Sequence, residues 1–152
     1  MIVISNSSPL INFGALGRLD ILQTLYGSLF IPEAVHHEIV VAGRHYPGAA
    51  EIKQAAWIIP KPVANRAAVA ALHDLGRGEA EAIMLAVEHP GSLVILDDRQ
   101  GREVAIHLGL DVIGTLGVLL IAKRKGLIQS LAIAIDHFAA DLKAKVLREV
   151  GE

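Results

Sequence analysis

Short apolar runs alternate with longer amphipathic stretches along this chain, and glycine, proline or a polar residue closes most of them. The first run, Ile2-Val3-Ile4-Ser5, is apolar up to its last residue, the pattern of a strand covered on both faces. Runs of the same kind fall at 28–31, 57–59, 93–96 and 112–115. Pro60 and Pro62 close the run at 57–59, which therefore reads as an edge strand. Helical spacing fills the gaps. Ser7-Ser8-Pro9 offers a serine cap with proline at the first helical position, predicting a helix over 9–15. Ile21, Leu22 and Leu25 share one face of a helix over 19–26 that Gly27 stops. Pro32 opens a helix running through Glu38 to residue 41. Further helices are predicted over 49–56, 64–72, 79–88, 100–108 and 116–125, and from 127 to the end, where 138–150 is amphipathic. Residues 43–48 read as a turn, and Leu75-Gly76-Arg77-Gly78 as a loop.

Strands that alternate with helices predict parallel βαβ units, hence a three-layer α/β/α sandwich around a mostly parallel central sheet. No linker, repeat or low-complexity segment interrupts the pattern. It predicts one domain over 1–152, with the 138–150 helix peripheral.

In a parallel sheet the carboxyl ends of the strands share one edge, where ligands bind. Asn6 follows the first strand, Asp97-Asp98 the fourth, and Thr115 closes the fifth. Glu38, Glu79 and Glu81 add acids from helices. Each has a bland alternative. Glu79 and Glu81 suit a helix dipole, Glu38 suits a solvated helix face, and Asp97-Asp98 could cap the next helix. Their combination is what points to a site. Oxygen donors without Cys or His suit Mg²⁺ or Mn²⁺, which activates water and holds a phosphate. Residues two apart on a helix diverge by about 200°, so Glu79 and Glu81 cannot both face inward. Asp97 and Asp98 diverge likewise if the strand persists.

Charge and composition narrow this picture. Fourteen basic and 16 acidic residues leave a net charge of −2, so any nucleic-acid contact rests on a local patch. Arg77, Arg99 and Arg102 lie beside the acids and could pair with phosphates; the alternative is ion pairing to Asp97, Asp98 or Glu103. Lys123-Arg124-Lys125 closes a helix, where cations are favourable anyway. The chain has no cysteine, which excludes disulfides, thiolate metal sites and cysteine nucleophiles. Seven histidines lack metal spacing, and adjacent His36 and His37 point about 100° apart on a helix. Ser7 and Ser8 lack a histidine base, and no phosphate-binding glycine motif occurs. The run 116–122 is too short to span a bilayer, and the first residues carry no basic leader, predicting a soluble, cytoplasmic protein. Apolar residues make up 53%, above the usual 45–50% or so. That predicts a homodimer through 116–122 and 127–135.

Five blocks carry a family resemblance. They are Ser5-Asn6-Ser7-Ser8-Pro9-Leu10-Ile11, Ile31-Pro32-Glu33-Ala34-Val35-His36-His37-Glu38-Ile39, Leu75-Gly76-Arg77-Gly78-Glu79-Ala80-Glu81-Ala82-Ile83, Leu96-Asp97-Asp98-Arg99-Gln100-Gly101-Arg102 and Gly114-Thr115-Leu116-Gly117-Val118-Leu119-Leu120. In this order, over 1–128, they resemble the PIN-domain family, in particular its prokaryotic toxin-like nucleases. The resemblance implies a Mg²⁺- or Mn²⁺-dependent endoribonuclease acting on RNA, frequent dimers and a small antitoxin partner. By position, it places metal-binding acids at Asn6, Glu38, Glu79 or Glu81, and Asp97 or Asp98, with Thr115 as the supporting hydroxyl. The family's first block normally has Asp where this chain has Asn6. An amide keeps the shape and an oxygen acceptor but removes a full negative charge, which lowers the expected metal affinity and activity. A second departure is a trimmed stretch before the last helix, at Asp136-His137-Phe138. The alternative to a nuclease is a non-cleaving RNA- or protein-binding module; a phosphatase on the same sheet edge is weaker for want of a nucleophile motif.

Overall fold

A computed structural model describes residues 1–136; the helix expected over 138–150 lies outside the described residues. Five strands form one all-parallel sheet: β1 (Val3–Ser5), β2 (Leu29–Pro32), β3 (Ile58–Lys61), β4 (Leu93–Ile95) and β5 (Asp111–Ile113). Their order is β3-β2-β1-β4-β5. The chain builds outward from β1 to β3, then returns to the other side of β1 with β4. The order therefore reverses between β1 and β4, the crevice where open α/β sheets bind ligands.

Side-chain alternation divides the core into two layers. Val3, Leu29, Ile31 and Ile95 face one layer, while Ile4, Val94 and Leu96 face the other. The first layer packs on α1 (Ser7–Leu16), α2 (Asp20–Tyr26), α4 (Ala49–Gln54), α8 (Thr115–Arg124) and α9 (Leu131–Ile135). The second packs on α5 (Arg66–Ala71), α6 (Arg77–Val87) and α7 (Arg99–His107). The expected α/β/α sandwich is thus present, and Ile58 to Lys61 is an edge strand as its prolines predicted. Val118, Leu119 and Ala122 of the apolar run 116–122 are buried in the first layer, while Leu116, Leu120 and Ile121 are half-buried.

Several boundaries differ from the sequence reading. Asn6, not a serine, precedes α1, and Pro9 sits at the third helical position. Proline is tolerated there because first-turn N–H groups have no intrahelical partner. α6 starts at Arg77, so Arg77 and Gly78 are helical and not loop. Pro32 ends β2; the helix after it, α3 (Glu33–His36), gives way to a π-helical turn over His37–Ala42. Thr115 opens α8 rather than closing β5. α4 stops at Gln54, and α5 is shorter than expected because Asn65 caps it, accepting from Ala68 N–H at 3.0 Å. Residues 127–130 are not helical; Ser130 caps α9, accepting from Ile133 N–H at 3.2 Å.

One close approach fixes α1 against the turn before α4. A Cβ on Gly14 would collide with the Pro47 carbonyl, and one on Gly48 would lie 2.8 Å from Gly14 Cα. Gly48 also has φ +83°, which favours glycine. Gly14→Ala is therefore expected to cost about 1–3 kcal/mol in urea unfolding. An unchanged midpoint would contradict the close approach.

Candidate functional site

At the carboxyl edge of β1 lies a cavity of about 580 Å³, lined by Asn6, Ser7, Glu33, His37, Glu38, Arg77, Gly78 and Glu79 among others. β1 delivers Asn6, which is buried and donates its N–H to the Ile95 carbonyl at 3.1 Å. That bond extends the ladder to β4 one residue beyond the strand. The π-helical turn delivers Glu38, and Ser7 Oγ donates to its Oε2 at 2.7 Å. The first turn of α6 delivers Glu79.

Two glycines leave room where these oxygens meet. A Cβ on Gly78 would sit 3.2 Å from Asn6 Oδ1 and 3.4 Å from Glu38 Oε2. A Cβ on Gly101 would sit 3.4 Å from Asp98 Oδ2 and 3.6 Å from Glu79 Oε2. Asp98 is the N-cap of α7, its Oδ2 accepting from Gly101 N–H at 2.7 Å, so the capping alternative holds for it. Burial pushes the Glu79 carboxyl up from its ordinary range; the charge of Asp98, a hydrogen bond shared with it, and the charge of Glu38 push it further. A backbone hydrogen bond at Gly76 opposes this.

The other member of each acidic pair turns away. Glu81 is 1% exposed and bound on three sides. Its Oε1 accepts from Ala34 N–H, and its Oε2 from Arg66 Nη2 and Arg77 Nε, each at 3.1 Å. Burial alone would raise its carboxyl, but the bonds from Arg66, Ala34 and Arg77 outweigh this and hold it below the ordinary range. Asp97 belongs to a neighbouring group. Its Oδ1 accepts from Thr115 N–H at 2.6 Å, and its Oδ2 from Thr115 Oγ1 at 2.5 Å and Asn12 Nδ2 at 3.3 Å. Arg102 and Asp97 both pack over Gly114, where a Cβ would meet them.

The structure thus brings together Asn6, Glu38, Glu79 and Asp98, and sets Asp97 with Thr115 beside them. Among the basic candidates, Arg77 lines the cavity, while Arg99 pairs with Glu103 at 3.3 Å on an exposed helix face. Among the described residues, no three His, Asp or Glu side chains already stand as a metal-binding group. Sequence reasoning missed Ser7 as the partner of Glu38; it weighed that residue as a helix cap and as a nucleophile. It also missed Asn12. The available signal was an amide placed between Leu10 and Phe13 on the buried side of α1. His37 is exposed and lines the rim.

Fold and site together define a doubly wound α/β protein with an acid-lined crevice at its switch point. A family model described as a PIN domain matches residues 2–150. The chain belongs to the PIN-domain family, a nuclease-like fold whose members generally use divalent metals. No curated protein matches the chain. Among the described residues, no helix is long and apolar enough to cross a membrane.

Glu79 and Glu81 contribute to stability with opposite signs. The folded Glu81 carboxyl titrates below its ordinary value of 4.5, so its stabilisation is complete at neutral pH and is lost as pH falls through that lowered value. The folded Glu79 carboxyl titrates above 4.5, so its ionised form opposes folding at neutral pH, and acid relieves this. Glu81→Ala should cost about 1–3 kcal/mol at pH 7, chiefly through the unpaired Ala34 N–H, since both arginines regain solvent. Glu79→Gln should stabilise the protein at pH 7. Urea unfolding across pH checks both, and a Glu79→Gln protein less stable at pH 7 would contradict the assignment.

Proposed function

We propose that this PIN-domain protein is a divalent-metal-dependent endoribonuclease whose activity is lowered by Asn6. The observation that carries the reading is the convergence of Asn6, Glu38, Glu79 and Asp98 at the β1–β4 crevice, where burial first, and then the charges of Asp98 and Glu38, push the Glu79 carboxyl up. Donors that are all oxygen suit Mg²⁺ or Mn²⁺, and neither Gly78 nor Gly101 puts a Cβ among them. Glu38, Glu79 and Asp98 would hold the metal, with Asp97 ordering the turn that carries Asp98. Bound there, it supplies an activated water and offsets the charge of the phosphate.

The chain's own residues prepare that site. The Ser7 hydroxyl fixes Glu38 by a bond of 2.7 Å. The Gly101 N–H fixes Asp98 from one side. Thr115 and Asn12 hold Asp97, and so the β4–α7 turn, from the other. Arg77 offers a guanidinium at the rim, suited to a phosphate oxygen of RNA. Asn6 places an amide where a carboxylate would add charge, and affinity in oxygen-ligand sites follows charge count. The setting we propose, on the resemblance to toxin-like relatives, is the cytoplasm, with a small antitoxin masking the crevice.

The second reading is a binding module that holds RNA without cutting it, and Asn6 is the observation that favours it. Incubating RNA with Mn²⁺ separates the two. Asn6→Asp should cut single-stranded RNA faster than the wild type, and adding Glu79→Gln or Asp98→Asn should lower that rate about 100-fold. If the Asn6→Asp protein cuts no RNA in Mn²⁺, the nuclease reading falls.

A further inference from the structure

Beside the acidic cavity lies a smaller groove of about 300 Å³, between α5 and the start of α6. Its floor is aliphatic, formed by Val69, Leu72 and Leu75, and its rim carries Arg66, His73 and Arg77. Arg77 lines both openings, so the groove and the cavity abut. We propose that this groove is a second RNA subsite, seating the nucleotide that flanks the one held in the cavity. The proposal rests on the ribonuclease reading for its direction, but the residues that line the groove do not include Asn6, Glu38, Glu79 or Asp98.

Charge is the first argument. Arg66 and Arg77 donate to the same oxygen, Glu81 Oε2, each at 3.1 Å. Glu81 offsets one of the two guanidiniums, and Asp74, 3.6 Å from the Nε2 of the rim residue His73, is not among the residues that line the groove. The Arg66 and Arg77 side chains remain 51% and 76% exposed, while Glu81 is 1% exposed. The anchor is inside and the donors face out. A guanidinium so held loses little rotamer freedom on meeting a phosphate, and its fork geometry suits phosphate oxygens.

Neighbouring chemistry is the second argument. The cavity carries Glu33, Glu38 and Glu79, which repel a polyanion, and Arg77 is the one Arg or Lys among its lining residues. A strand entering there needs a cationic hold on an adjacent phosphate, and the groove supplies it within one shared residue. The aliphatic floor can cover one face of a base without reading its edge, so the subsite would tolerate any base.

Fluorescence anisotropy of a labelled ten-nucleotide single-stranded RNA of mixed sequence tests this, using the full chain in Ca²⁺ with the RNA shown intact on a gel. Arg66→Ala should weaken binding about 5-fold or more and reduce the salt slope by about 0.7, the value for one phosphate contact on a single strand. Arg66→Lys should restore the slope. Ala70 lines the groove and is exposed, so Ala70→Asp should weaken binding in a protein that melts normally. Wild-type binding that neither variant changes would overturn the subsite and leave the nuclease reading intact. Absence of wild-type binding would also overturn it. Binding that depends on Arg66 in a protein whose Asn6→Asp form never cuts would keep the subsite and reject the nuclease.

Discussion

The parallel pairing of β1 with β4 is the contact on which the rest of this molecule depends. Val3, Ile4 and Ser5 stand against Leu93, Val94 and Ile95, and all three β1 residues are buried. The Asn6 N–H then bonds the Ile95 carbonyl beyond the end of the strand. That register sets Asn6 opposite the turn carrying Asp97 and Asp98. It also creates the point where strand order reverses, which leaves an open crevice because the crossover helices on either side diverge.

Within the crevice, each acidic pair divides its labour by geometry. Glu81 is fully satisfied and ties α6 to Arg66 and to the backbone of α3. Glu79, two positions earlier, points elsewhere and meets Asp98 and Glu38 instead. Asp97 is bound by Thr115 and Asn12, while Asp98 caps α7 and still reaches Glu79. In both pairs the well-bonded carboxylate holds an element in place, and its neighbour is left among like charges. Proteins tolerate such local conflict at functional sites, where the surrounding packing fixes it.

How much of this was legible in the sequence follows from the range of each interaction. The strands were readable because a run such as Leu93 to Ile95 is decided by its own residues and by burial on both faces. The divergence of Glu79 from Glu81 was readable because helix geometry alone requires it. Which of the two faces the crevice was not, since Arg66 and the Ala34 N–H lie 15 and 47 residues away. Asn12 was unreadable for the same reason, its Asp97 partner being 85 residues distant. The start of α6 at Arg77 was masked by two glycines, which signal a turn locally although Gly76 here precedes a helix. The π-helical turn bearing Glu38 has no sequence pattern of its own.

The reversal of strand order also sets a timetable for synthesis. A chain leaving the ribosome presents β1 and Glu38 early, but Asp98 emerges some sixty residues later. At about 5–20 residues per second that interval is roughly 3–12 s. Throughout it β1 lacks β4, so Asn6 has no Ile95 carbonyl to bond and the crevice has one wall. The nascent protein therefore carries no finished cleft while most of its own message is still being read. The order of strands, fixed for packing, also delays completion of the crevice until Asp98, in a chain of 152 residues, has emerged.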